Sequence, residues 1–252
     1  MKKDERALAS CNLYAILGSI PTLLELDDTA RALVSDKTIS LGFDVKDGPR
    51  ATLYFENGRA RMTHSLDKCS IRLFFSSPAK FNALIDGNGM PLPLSGFFRL
   101  GFLLKEFTKL TDLLSAYLRP TPEALADEAF FECSTRLMLS VIANAVATLG
   151  NEDAVARFSA SNIVDGVIRL SIGSEISMAV EAKDHHLSVL DTVPETVMSE
   201  MCFADLRVAR DLFDGNINAV AAVGEGKVRI RGMISQIDNV NRILDRVSLY
   251  LA

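Results

Sequence analysis

The chain has 252 residues, of which 48% are hydrophobic and 23% charged, and its formal net charge is −5. That length and apolar content suffice for two small cores, and the acidic balance excludes a nucleic-acid binder, because neutralising phosphates takes clustered Lys and Arg. It also argues against standing attachment to anionic membranes.

The first residues, MKKDERALAS, carry two lysines followed by acids and no apolar run, so no export signal is read there. Cys11, Cys69, Cys133 and Cys202 form no Cys-x-x-Cys pair and sit among apolar or helical residues. They read as small hydrophobes in a reduced, cytoplasmic protein. Residues 2–26 have a helical pattern that Pro21 should kink or split. Asp27 and Asp28 can cap a second, short helix over 29–35, because aspartate oxygens accept from free helix N–H groups. Ile39, Leu41, Phe43 and Val45 alternate with Ser, Gly and Asp, the period of a half-buried strand. Asp47-Gly48-Pro49 turns the chain, and Asn57-Gly58 joins strands 51–56 and 59–64 into a hairpin. Another strand covers 70–75. Ser77 and Pro78 open a helix that ends at Gly87. A last strand is expected over 97–100, then a closing helix over 103–118 with Phe107, Leu110, Leu113, Leu114 and Tyr117 on one face.

Arg119-Pro120-Thr121-Pro122 reads as a linker, and the plan then starts again. A helix is expected over 123–149, a short one carrying Arg157, and strands over 167–172 and 175–180. A weaker hairpin near Lys183-Asp184 leads to strands 186–190 and 201–204. Asp205 caps a helix that Gly215 ends; strand 227–230 and closing helix 234–251 follow. The stretch from Leu137 to Leu149 contains Ser140, Asn144 and Thr148, so it reads as a buried core helix rather than a membrane span.

Residues 78–114 and 206–244 state the repeat most directly. Each has a helix ending in Asp-Gly-Asn (at Gly87 and Gly215), a loop, an arginine-bearing strand (Arg99 and Arg229) and an apolar helix. Two extra loop residues in the second copy account for the difference in spacing. Such a repeat implies two modules, 1–119 and 120–252. Each reads as helices on one face of a mostly antiparallel sheet, an α+β fold.

The Asp-Gly-Asn after a short helix, followed by VAAVGEGKVRIRG, resembles the sterol carrier protein 2 family. In the second module DLFDGNINAVAAVGEGKVRIRGMISQIDNVNRIL carries the likeness, over 159–252. In the first, FNALIDGNG carries it, over 39–118, while MPLPLSGFFRLG is richer in Pro and Phe than the family's more polar turn. The resemblance implies two tandem modules, each a sheet of about five strands under helices, with a tunnel between sheet and helices that holds a lipid or acyl chain. It implies binding rather than catalysis.

Candidate tunnel residues in the first module are Phe81, Leu84, Ile85, Met90, Leu92, Leu94, Phe98 and Phe102. In the second they are Leu212, Phe213, Ile217, Val220 and Met233. Ordinary core packing is the plain alternative, since aromatics at helical spacing usually pack against one another. Pro91 and Pro93 stiffen a loop that keeps apolar side chains near the surface. Burying a sixteen-carbon chain gains on the order of 12 kcal/mol before ordering costs.

Catalytic and metal signatures are not found. His64, His185 and His186 lack ligand partners at metal spacing, and there is no Gly-x-Ser-x-Gly or Walker A loop. The acidic pairs Asp27-Asp28 and Glu152-Asp153 are explained by capping. Arg99 and Arg229 project from the last strand, to pair with an acid or to hold a carboxylate head group. The expected function is non-catalytic, cofactor-free binding or carriage of an apolar ligand (fatty acid, lipid, sterol-like or isoprenoid). No nucleic acid and no stable membrane insertion are expected. The alternative is an accessory or scaffold protein, with collapsed cavities, for an enzyme of lipid or quinone biosynthesis.

Overall fold

In the computed structural model, which describes residues 3–88 and 92–251, the chain builds two five-stranded sheets. One lies in each of two units, Met1–Leu137 and Met138–Ala252.

The first sheet comprises β1 (Thr38–Val45), β2 (Arg50–Glu56), β3 (Arg59–Thr63), β4 (Ile71–Phe75) and β5 (Leu92–Ser95), in the order β3-β2-β1-β4-β5. Only β1 and β4 run parallel; the other pairings are antiparallel. Asn57 and Gly58 both take positive φ (49° and 79°), the geometry of a two-residue hairpin turn whose twist suits the strands. The pleat sends Leu41, Phe43, Val45, Leu53, Phe55, Ile71, Leu73 and Phe75 to one face, and all are buried. Helices α1 (Glu5–Leu26), α2 (Asp28–Ala32), α3 (Pro78–Ile85) and α4 (Thr108–Leu118) belong to this unit. Pro21 falls in the first turn of the regular segment Ile20–Leu26. The helix is irregular just before it, with a wide turn at Asn12–Ile16 and a tight one at Leu17–Ser19.

The last strand of this unit differs from the sequence reading. It is Leu92–Ser95, and Phe97–Arg99 is a single 3₁₀ turn. Pro93 does not forbid the strand because β5 is an edge, where a missing N–H can face away from the ladder. Gly96 then reverses the chain at φ 84°, where a Cβ would collide with the carbonyl of Ser70.

The second sheet comprises β6 (Gly166–Ile172), β7 (Ile176–Lys183), β8 (His186–Val189), β9 (Ser199–Phe203) and β10 (Val228–Gly232), in the order β10-β9-β6-β7-β8. Read from its own first strand, this is the order of the first sheet, with β6 and β9 the parallel pair. Gly232 repeats Gly96: φ is 83° and a Cβ would collide with the carbonyl of Met198. Helix α5 (Glu128–Glu152) runs across the division at residue 137, and α6 (Ala154–Ala160), α7 (Leu206–Phe213), α8 (Ala219–Gly224) and α9 (Ile234–Leu251) belong to the second unit. Helix α5 starts later than residue 123 because Asp127 caps it, accepting from Phe130 N at 2.8 Å. The spacing also needs correction. From Gly215 to Gly232 the chain has eight more residues than from Gly87 to Gly96, not two, and α8 occupies the difference. Helices α1 and α5 are long and apolar enough to cross a membrane by length and composition, but most of each apolar window is buried inside the protein.

One polar tie recurs in both units. Asp27 caps α2, its Oδ1 accepting from Thr29 N (2.6 Å) and Ala30 N (3.0 Å), while its Oδ2 accepts from Tyr117 Oη of α4 (2.7 Å). Asp153 caps α6 in the same way, with Oδ1 accepting from Val155 N (3.1 Å) and Ala156 N (2.9 Å). Its Oδ2 accepts from Tyr250 Oη of α9 (2.8 Å). The second tie adds a buried guanidinium, with Arg246 Nε and Nη2 reaching the two carboxylate oxygens at 3.0 and 2.7 Å. Burial works to raise both carboxyl pKa values. The hydrogen bonds outweigh it and hold both below the ordinary aspartate range, from Tyr117 and the α2 amides for Asp27, and from Arg246, Ala156 and Tyr250 for Asp153.

Replacing Asp153 by Ala strands the Arg246 charge in the core, and we expect a loss of about 3–5 kcal/mol in urea unfolding. A loss under about 1 kcal/mol would contradict this role. The depressed carboxyls contribute fully above the unfolded aspartate pKa, near about 4, and their contribution disappears as the pH falls through the folded-state values. A Tyr117→Phe/Tyr250→Phe variant is therefore expected to lose less stability than the parent between about pH 7 and about pH 3. Equal losses in the two proteins would count against the ties.

Candidate functional site

Between the first sheet and its helices lies a run of six phenylalanines. Phe75 meets Phe81 edge-on at 5.0 Å, Phe81 meets Phe43 at 6.4 Å, and Phe43 meets Phe107 at 6.4 Å. Phe107 continues to Phe55 at 6.4 Å, and Phe55 to Phe102 at 5.5 Å. Offset and edge-to-face geometries of this kind add to the gain from burial. Of the residues singled out from sequence, Phe81 and Phe102 sit in this network, and Leu84 and Ile85 pack half-buried against it. Leu94 and Phe98 stand outside it, Phe98 fully exposed at 106%. Leu92 opens β5, and Met90 lies outside the described residues. The strand members Phe43, Phe55 and Phe75 were missed as companions of Phe81; their period-two spacing was the signal for them.

In the second unit Leu212, Phe213, Ile217 and Met233 are half-buried. Phe213 packs edge-on against Phe203 of β9 at 5.5 Å, which places α7 on the Phe203 face of the sheet. Met233 N donates to Ser199 Oγ at 3.1 Å, next to the turn at Gly232. Val220, on α8, is 81% exposed.

The two arginines read as equivalents are not equivalent. Arg229 lies within β10, opposite Cys202. Arg99 lies beyond the turn glycine, where Nη1 donates to Ser70 Oγ at 2.8 Å. By register, Arg231 opposite Glu200 corresponds to Ser95 opposite Arg72. His64 stacks on Tyr14 at 4.2 Å, and His185 occupies a positive-φ turn position. All four cysteines are free, and burial pushes the Cys11 thiol up to about 12.

Two polar hollows open on the helix-free faces of the sheets. One, of about 580 Å³, lies over the β2–β3 hairpin beside Tyr54, Arg59 and Arg61. The other, of about 440 Å³, is lined by Arg169, Glu200, Cys202, Arg229 and Arg231 among others. The alternation of arginines in VRIRG was its visible sequence signal.

No family model matches the chain, and no curated protein matches it. Among solved structures, the chain is similar to sterol carrier protein 2 like 2 from Aedes aegypti, with 16% identity, a TM-score of 0.31, and coverage of 42% of this chain and 94% of that one. It is also similar to the apo form of sterol carrier protein 2 from Yarrowia lipolytica, with 16% identity, a TM-score of 0.30, and coverage of 40% and 92%. A conserved hypothetical protein from Thermus thermophilus, described as possibly a sterol carrier protein, matches with 14% identity, a TM-score of 0.32, and coverage of 44% and 83%.

Phe81→Ala removes the ring that joins Phe75 to Phe43, and a cost of about 3–5 kcal/mol is expected by chemical denaturation. A cost below about 1 kcal/mol would show that the network is loosely packed there.

Proposed function

We propose that the protein is a duplicated, non-catalytic binding module that takes an apolar chain (a fatty acid or other lipid, or a sterol-like or isoprenoid molecule) between sheet and helices. The observation that carries this reading is a matched pair of exposed apolar residues. Phe98 and Ile234 each stand two residues after the turn glycine, at the start of the closing helical stretch, and are 106% and 75% exposed. Leu94 and Leu104 accompany Phe98 in sequence, and Val220 and Val223 precede Ile234; all four are exposed as well. Single exposed apolar residues are common, but Phe98 and Ile234 occupy matching positions and each has further exposed apolar residues nearby in its own unit, which marks a contact surface in each. In this reading these segments form a mouth in each unit. Phe81, Leu84, Ile85 and Phe102 line the wall behind it in the first unit, as do Leu212, Phe213, Ile217 and Met233 in the second. The shared strand order and the repeated Asp–Tyr tie support an origin by duplication.

A second reading, an accessory protein docking on an enzyme of lipid or quinone biosynthesis, is favoured by the continuous Phe network, which occupies the space beneath the first sheet. The same exposed residues would then meet a protein.

Fluorescent fatty-acid titration, paired with native mass spectrometry of the purified chain, separates the two. Saturable binding in the range of about 1–10 µM, weakened roughly tenfold in Phe98→Ser/Ile234→Ser, is the expected result. No binding below tens of micromolar, with a stoichiometric protein partner instead, would replace the first reading by the second.

A further inference from the structure

The two sheets differ most on the face that carries no helices. The strand registers identify the corresponding positions. Gly42 opposite Arg72 corresponds to Arg169 opposite Glu200, Phe74 to Cys202, and Ser95 to Arg231. In the first unit this face is closed at its centre. A Cβ on Gly42 would stand 2.5 Å from Cys69 Sγ and 2.9 Å from Leu66 Cδ1, so the loop after β3 lies directly on the strand. Arg72 is paired with the buried carboxylate of Asp44.

In the second unit Arg169 replaces that glycine and holds the corresponding loop away from the sheet. Its Nη2 donates to the carbonyls of Pro194 (2.6 Å) and Glu195 (3.1 Å). The hollow of about 440 Å³ is the result. Three guanidiniums line it; Arg169 is held by its two carbonyls, while the carboxylate contacts of all three are long or absent among the described residues. Glu200 stands 3.6 Å from Arg169 and 3.8 Å from Arg231, both long for ion pairs, and also accepts from Ser171 Oγ at 3.3 Å. Arg229 reaches only Cys202 Sγ, at 3.8 Å, and has no carboxylate partner among the described residues. Arg169 Nε is buried without a hydrogen-bond partner among the described residues. Glu195 is the other acid on the rim, and it is exposed. Guanidinium groups present planar N–H pairs that match the oxygens of phosphate or carboxylate, and such charge-assisted bonds are the strong ones. Ser174 and Ser177 line the same hollow and supply hydroxyl donors.

We propose that this face of the second sheet is an anion site for a small metabolite bearing a phosphate or carboxylate group, held by Arg229 and Arg231 over Arg169. The site lies across the sheet from Phe203 and α7, so it stands independently of the apolar-ligand reading. The first unit, with Gly42 and Ser95 at the matching positions, lacks it.

The test is calorimetric titration of the full chain at low ionic strength with inorganic phosphate, glycerol 3-phosphate and succinate. Nuclear magnetic resonance follows the Gly173 and Ser174 amides in parallel. Saturable binding of at least one probe is expected, with shifts at those amides. A preference for the phosphates or for succinate identifies which oxyanion the site takes. Arg229→Ser/Arg231→Ser is expected to weaken binding roughly tenfold or more, and added salt to weaken it further. Lys227→Ser, which removes a lysine paired with Glu225, is expected to leave binding unchanged. The proposal is overturned if no probe binds saturably up to tens of millimolar. It is equally overturned if the double variant binds as tightly as the parent, or if the shifts avoid Gly173 and Ser174.

Discussion

A single carboxylate per unit ties the closing helix to a short capped helix. Asp27 and Asp153 each use one oxygen to satisfy the free amides of a short helix and the other to accept a tyrosine hydroxyl from the closing helix. A helix of five or seven residues has almost no stability of its own, so its geometry is set by its cap and by what packs on it. The same oxygen pair also sets the reach of the closing helix, because the tyrosine can meet the carboxylate only in one register. In the second unit the bidentate Arg246 makes the tie a buried ion pair, whose worth lies less in net stability than in the penalty for breaking it.

Within this common frame the units differ in chemistry. On the helix side, the first has an aromatic network, while the second has smaller aliphatic residues with one aromatic contact, Phe203–Phe213, among the described residues. On the opposite face the first is closed over a glycine, and the second is opened by an arginine that holds a loop at a distance. The second contrast runs through positions that strand register makes equivalent. With the same strand order, different residues at a few positions give two surfaces of different polarity.

Features with short-range causes were legible in the sequence. Asn57-Gly58 requires positive φ at both turn residues, Asp205 caps α7 through Val208 N, and Gly87 and Gly215 end their helices in the left-handed region. The strand Leu92–Ser95 was not legible, because two prolines argue against a ladder until the strand is known to be an edge. Helix α8 escaped notice because six residues are too few for a helical period, and its cap, Asn218, read as loop. The Asp–Tyr ties span 90 and 97 residues and leave no local pattern. The cationic hollow was half legible. Arg229 was noticed, but its companions Arg169 and Arg231 join it only when β6, β9 and β10 come into register.

The apolar-ligand reading makes a positional claim that a heavy-atom ligand tests directly. A crystal structure of the protein grown with a bromine-labelled fatty acid, with the bromine located by anomalous scattering, is the decisive measurement. The account predicts bromine between a sheet and its helices, reached past Phe98 or Ile234. Bromine found only on a helix-free face, or a closed aromatic network with no bromine beside it in either unit, would contradict it.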